Sequence, residues 1–220
     1  MKETELSINQ IESAIVGRVD SPFYIRRNIV IPNVSWGFLN HEADLLVISQ
    51  QGMLTEIEIK RTWADFMADF KKGHNHYDIR LSRLYFAVPY RIAERVFHWL
   101  YEGEFADNNY TFSKVGKPTE HNPYKAGIIV YTDCKDEGSN VRYGRRCWVN
   151  VCAGRMNPGH EYVLTREGEH TLFRLLAMRI WKLKRMAASS EDKTMRKRQS
   201  LIDKDREERA KWPSIFKDDL

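Results

Sequence analysis

Residues 41–60, HEADLLVISQQGMLTEIEIK, set two short apolar runs seeded with acids on either side of Gln50-Gln51-Gly52. A glycine in third place supplies the left-handed conformation that a three-residue hairpin loop needs. With that loop Ser49 pairs with Met53, Asp44 faces Glu58, and Glu42 faces Lys60 one pair further out. Side chains alternate along a strand, so Glu42, Asp44, Glu56, Glu58 and Lys60 share one face, and Leu45, Val47, Thr55, Ile57 and Ile59 share the other. Leu46 and Ile48 add apolar weight to the charged face, which argues for a central hairpin. A loop one residue shorter would break this arrangement.

Upstream, Leu6, Ile8, Ile11, Ile15, Val16 and Val19 recur at helical spacing within Glu5–Val19, and Phe23–Val34, with Pro22 and Pro32 near its ends, reads as a strand. Downstream, Thr62 caps a helix with Asp65 as its capping-box-like partner and Trp63, Phe66, Met67 and Phe70 as its apolar stripe, ending near Gly73. Ser82–Val88 is a strand stopped by Pro89, and Ile92, Ala93, Val96, Phe97 and Leu100 mark another helix. Residues 102–125 read as polar loop, Ala126–Thr132 and Cys147–Cys152 as strands, and Glu167–Met186 as a long helix. The order α-β-β-β-α-β with later additions predicts an α/β protein with a mixed central sheet flanked by helices. The expected organisation is one domain over 1–187, with a core at about 4–100 and additional strands and helix at 126–187, then a charged helical or disordered tail at 188–220.

The 220 residues are 42% apolar and 12% aromatic, enough for a packed core, so the 30% charge describes a wetted surface rather than disorder. No apolar run nears the roughly 20 residues of a membrane helix, and the opening MKETELSINQ lacks a signal-like apolar stretch. Cys134, Cys147 and Cys152 form no CxxC pair, which argues against a disulfide framework or a cysteine-rich zinc site and for a reducing, cytoplasmic setting. The net charge is +5, but Arg179–Lys211 alone carries twelve Lys/Arg against six Asp/Glu, leaving the remainder near neutrality. Nucleic acid contact by the body must therefore come from local patches, with the tail adding sequence-independent attraction.

An acid-x-Lys triplet by itself means little, because Asp69-Phe70-Lys71, Asp133-Cys134-Lys135 and Glu191-Asp192-Lys193 offer it too. Glu58-Ile59-Lys60 differs in lying on an apolar strand whose neighbour presents Asp44. Carboxylates on Cβ atoms roughly 4.5–5.5 Å apart repel each other. Lys60 compensates in part, and a hard divalent cation with oxygen ligands would supply the rest. The alternative is a hairpin with one wet, charged face on which Glu42 and Lys60 form a surface pair worth a fraction of a kcal/mol.

The runs Asp44-Leu-Leu-Val-Ile, Glu56-Ile-Glu58-Ile-Lys60, Asp65-Phe66-Met-Ala-Asp69-Phe-Lys71-Lys72 and Leu84-Tyr-Phe-Ala-Val-Pro89 resemble the PD-(D/E)XK nuclease superfamily. In particular they resemble its MmcB-like group, associated with DNA repair, and similar uncharacterised phage and bacterial proteins. The resemblance covers about residues 40–90; His41-Glu42-Ala43-Asp44 stands where the first motif has Pro-Asp. It implies a restriction-endonuclease-like core in the α-β-β-β-α-β order. It implies Asp44 and Glu58 as Mg²⁺ ligands, with Mn²⁺ as a substitute and the backbone carbonyl of Ile59 as a third ligand, and Lys60 as the group that positions or deprotonates the attacking water. Glu12 on the first helix, and Glu42 or Glu56 beside the motif, are further candidates for the metal shell. The activity implied is Mg²⁺-dependent hydrolysis of phosphodiester bonds, of DNA, in repair, restriction or phage DNA metabolism. The setting implied is the cytoplasm of a bacterial cell or phage-infected host, with no membrane and no small-molecule cofactor, and with a homodimer open. Phosphodiester hydrolysis needs charge stabilisation on a non-bridging oxygen and a hydroxide at neutral pH; a carboxylate-bound metal helps with both, and an ammonium beside it is expected to have a lowered pKa.

Lys71, Lys72, His74 and His76 form a basic segment after the helix, and Arg142, Arg145 and Arg146 flank a Tyr-Gly; both are candidate DNA-backbone patches, with a solvated helix end as the plain reading of the first. Asp65, Asp69 and Lys72 share a helical face and serve equally as surface charge or substrate contacts. His74-x-His76 with a distant cysteine lacks the paired spacing of a zinc site. Trp36, Trp63, Tyr77 and Tyr85 read as core or rim aromatics. Two other functions stand beside the nuclease: a non-catalytic nucleic-acid-binding or repair-complex module on the same fold, and an interaction protein whose basic tail does the work.

Overall fold

The computed structural model describes residues 2–3, 6–34, 38–71, 76, 78–104, 114–132, 134–135, 146–156, 162 and 164–211. In chain order its elements are β1 (Lys2–Glu3), α1 (Ile8–Val16), β2 (Ile29–Val34), β3 (Ala43–Ile48), β4 (Leu54–Ile59), α2 (Trp63–Asp69) and β5 (Leu81–Pro89). There follow α3 (Tyr90–Leu100), β6 (Tyr101–Glu104), β7 (Lys114–Pro118), β8 (Gly127–Thr132), β9 (Cys134–Lys135), β10 (Arg146–Val151) and α4 (Arg166–Lys211).

The turn between β3 and β4 sets the register of everything around it. Gly52 adopts φ +75°, and the Ser49 amide donates to the Met53 carbonyl at 3.0 Å. Leu45 then lies opposite Ile57 and Leu46 opposite Glu56, as the three-residue loop requires. The hairpin is central in a six-stranded sheet of order β10-β8-β5-β4-β3-β2, parallel at β4–β5 and β5–β8 and antiparallel elsewhere. Parallel neighbours need crossovers, and α2 and α3 lie in the connections that supply them.

Both faces of the sheet are covered. Leu45, Val47, Ile57 and Ile59 join Tyr85, Ala87, Ile129 and Tyr131 in a core closed by Ile11 and Ile15 of α1 and by Phe23. Each Val, Leu, Ile or Phe side chain among them contributes about 1.5–3 kcal/mol on burial. On the other face Phe66 of α2 meets Phe86 edge-on at 5.2 Å, and α3 buries Ala93, Val96, Phe97 and Leu100.

Four expectations are corrected. The first helix ends at Val16, and Phe23–Asn28 is not strand. There the Tyr24 amide donates to Ser21 and the Arg27 amide to Tyr24, while the Asn28 side chain donates to the Pro22 and Tyr24 carbonyls, so local hydrogen bonds displace sheet pairing. Residues 102–125 are not loop throughout, since β6 and β7 form a two-stranded ribbon too short and polar to show a period. The last helix continues 25 residues beyond Met186 to Lys211. The chain divides into two compact units, 1–172 and 173–220. Among the described residues no helix is long and apolar enough to cross a membrane.

Candidate functional site

The charged face of the hairpin is not wet. Glu56 is 0% exposed, Glu58 5%, Lys60 4% and Asp69 6%, which removes the surface-pair alternative. The cover is built locally. Just past β4, the Thr62 hydroxyl accepts from the Asp65 amide at 3.1 Å and Asp65 accepts from the Arg61 amide at 3.1 Å, starting α2 one turn after the strand ends. Asp69, at the end of that seven-residue helix, is then buried beside Lys60.

Asp44 Oδ2 accepts from the Ile59 amide at 2.8 Å, and Glu58 Oε1 accepts from the Asp44 amide at 3.3 Å, so each acid is tied to the other's strand. Lys60 Nζ donates to Glu58 Oε2 at 2.9 Å and pairs with Asp69 Oδ2. The Tyr131 hydroxyl donates to the Lys60 carbonyl at 3.3 Å, and the Lys60 amide to Ala87 at 2.8 Å, which holds the chain where it leaves the sheet. Glu42 is exposed and Lys60 pairs elsewhere, so the expected Glu42–Lys60 pair is absent among the described residues.

Acid outweighs base here. Burial, with the charges of Glu56 and Asp44 behind it, pushes the Glu58 carboxyl up to about 8, against the pull of Lys60. Burial raises Asp44 too, although the Ile59 amide and Lys60 oppose it. Glu12 on α1 is raised by burial and by the Asp44 charge, which brings a third carboxylate within electrostatic reach. Burial alone would lower Lys60, but the charges of Glu58 and Asp69 and their hydrogen bonds hold it above its ordinary value.

Glu56 turns away from this group to a second cluster. Its Oε1 lies 2.8 Å from His41 Nε2 and 2.9 Å from His76 Nδ1, and His76 Nε2 lies 3.2 Å from Asp69 Oδ2. Burial works to raise Glu56, but the two imidazoles hold it below the usual carboxylate range. Burial works to lower His76, but hydrogen bonds to Asp69 and Glu56 lift it to about 10. His41 and the partnership of Asp69 with His76 were missed in the sequence; they come from three separate segments, and only the helical spacing of Asp69 from Asp65 hinted at a role.

No family model matches this chain, and no curated protein matches it. Among solved structures it is similar to a protein of unknown function from Silicibacter pomeroyi, at 13% identity and a TM-score of 0.46, over 86% of this chain and 96% of that one.

Lys71 is exposed, and Arg146 opens the edge strand β10. Lys72, His74, Arg142, Arg145, Trp36 and Tyr77 lie outside the described residues. Asp65 serves the helix cap, Tyr85 packs edge-on against Phe23 at 5.1 Å, and Arg95 sits 4.0 Å over the Trp63 ring.

Proposed function

We propose that this chain is a Mg²⁺-dependent nuclease with a restriction-endonuclease-like core, hydrolysing phosphodiester bonds of DNA through Asp44, Glu58 and Lys60. The observation that carries the reading is the gathering of Glu12, Asp44 and Glu58 with one buried lysine, in which burial raises all three acids and the Asp44 charge adds to it at Glu12 and Glu58. An all-oxygen, charge-deficient donor set of this kind fits a hard dication. Asp44 and Glu58 would hold it, with Glu12 beside them. When bound, the ion supplies charge neutralisation at the scissile phosphate and a lower pKa for attacking water.

The chain's own groups do the rest. The Ile59 amide orients Asp44 and leaves its Oδ1 without a partner among the described residues. Lys60, at 2.9 Å from Glu58, would hold the nucleophilic water and give or take its proton once the acids are neutralised. Incubation with plasmid and oligonucleotides in Mg²⁺ or Mn²⁺ tests this: cutting is expected from the native chain and lost in Lys60→Ala with the circular dichroism spectrum retained. Undiminished cutting by Asp44→Ala would remove the assignment.

A second reading, a non-catalytic nucleic-acid-binding module on the same fold, is favoured by Lys60 being engaged by two carboxylates. It requires DNA affinity that is independent of Mg²⁺.

A further inference from the structure

The phosphodiester reading uses neither His41, Glu56 nor His76, yet these three are more tightly built than the groups it does use. Glu56 is wholly buried, both imidazoles converge on its Oε1, and its Oε2 has no hydrogen-bond partner among the described residues. The rings stand edge to face with centroids 5.3 Å apart. Each ring's outer nitrogen already faces an oxygen: His41 Nδ1 lies 2.6 Å from Asn40 Oδ1, and His76 Nε2 lies 3.2 Å from Asp69 Oδ2. With N–H donors on those outer positions, His41 Nε2 and His76 Nδ1 turn lone pairs inward at a carboxylate. Two imidazole nitrogens thus converge on one carboxylate oxygen, and either protons or a metal ion must lie in the contacts between them.

We propose that His41, Glu56 and His76 bind a transition-metal dication of the Zn²⁺ type, at a site that adjoins Glu58 through His76 and Asp69 but takes its ligands from different residues than the Asp44–Glu58 pair. The ligand atoms already lie within 4.8 Å of one another. Bonds of about 2.0–2.1 Å in a tetrahedral centre put neighbouring ligand atoms about 3.3 Å apart, so the two nitrogen–oxygen contacts need to open by only a few tenths of an ångström. Asn40 and Asp69 supply the outer hydrogen bonds that ligating histidines regularly make, fixing the ring faces and the metal-binding nitrogen. Two imidazoles select against Mg²⁺, which prefers an all-oxygen shell. In the metal-free protein protons fill the ring–carboxylate contacts; on binding, those on His41 Nε2 and His76 Nδ1 leave to solvent and the nitrogen lone pairs bond the ion. His76 and Asp69 also line a cleft of about 110 Å³ with Phe70, Phe86 and Tyr124, which gives an ion a route inward.

The full chain, stripped with chelator, is titrated with Zn²⁺ alone by calorimetry and with Co²⁺ alone by visible absorption, and the zinc-loaded protein is measured by X-ray absorption. One equivalent of Zn²⁺ is expected, retained against millimolar Mg²⁺, with a ligand-field spectrum for Co²⁺ and two imidazoles in the zinc shell. His41→Gln and Glu56→Gln should each weaken Zn²⁺ by at least about 100-fold, since even outer-shell changes cost 10–100-fold. Asp44→Ala should leave Zn²⁺ affinity unchanged while impairing Mg²⁺-dependent cutting, which separates this site from the nuclease reading. Fewer than two imidazoles in the native shell, or no binding by the native chain, overturns the proposal without any variant having to fold. Equal affinity in Glu56→Gln overturns it as well.

Discussion

The two faces of the β3–β4 hairpin are buried to nearly the same degree and are chemically opposite. Under α1, Leu45, Val47, Ile57 and Ile59 make a dry hydrocarbon layer. Under α2, Glu56, Glu58, Lys60, Asp69 and His76 make an ionic one, in which burial and then the neighbouring charges shift Glu56, Glu58, Lys60 and His76 from their ordinary pKa values. Removing a charge from water costs several kcal/mol, and mutual attraction recovers this only where geometry is good. The hydrocarbon face therefore stabilises the fold, while the ionic face draws on that stability. A carboxylate held up to about 8 is a poor device for holding strands together and a good one for receiving a cation.

The sharpest way to break this contrast is on the ionic side. Asp69→Ala takes one partner from Lys60 and another from His76, and is expected to cost about 3–5 kcal/mol in urea unfolding because buried charge is left uncompensated. Ile57→Ala on the hydrocarbon side should cost about 3 kcal/mol through cavity formation, with metal affinity unaltered. If Ile57→Ala shifted metal affinity as strongly as Asp69→Ala, the separation of the faces would fail.

Acidity sharpens the same point. His76 has a folded pKa of about 10 against an ordinary 6.5, so its stabilising contribution is complete below about 6.5 and disappears as pH rises through 10. Glu58, raised from 4.5 to about 8, likewise loses its contribution as pH rises through 8. Both signs agree: the metal-free melting temperature should fall between pH 6.5 and 10, and His76→Gln should flatten that fall. A melting temperature level across this range would mean that the ionic cluster is open to water. The smallest effect belongs to the helix that covers it: Thr62→Ala should cost about 1 kcal/mol by losing the α2 cap, measured by thermal unfolding.

The hairpin was legible because one glycine and a three-residue gap fix strand register, and register alone puts Asp44 opposite Glu58. Alternation likewise separated Leu45 and Ile57 from the acids. The covering of the charged face was only half legible: the aromatic stripe of α2 was visible, but its seat over Phe86 depends on the parallel pairing of β4 with β5. His41 and His76 lie 35 positions apart, outside the strands, and meet only through that crossover, so no local period announces them. The stretch after Pro22 misled because β-branched and aromatic content was read without the competing hydrogen bonds of Ser21 and Asn28.

The margins of the sheet have a consequence for assembly. β2 carries Pro32, which offers no N–H, and Asn33 at φ +51°, while β10 changes register between Val149 and Val151. An unpaired strand is a template for endless stacking, and both of these are interruptions to copying. Another chain that tried to extend the sheet would meet a missing donor on one flank and a kinked ladder on the other.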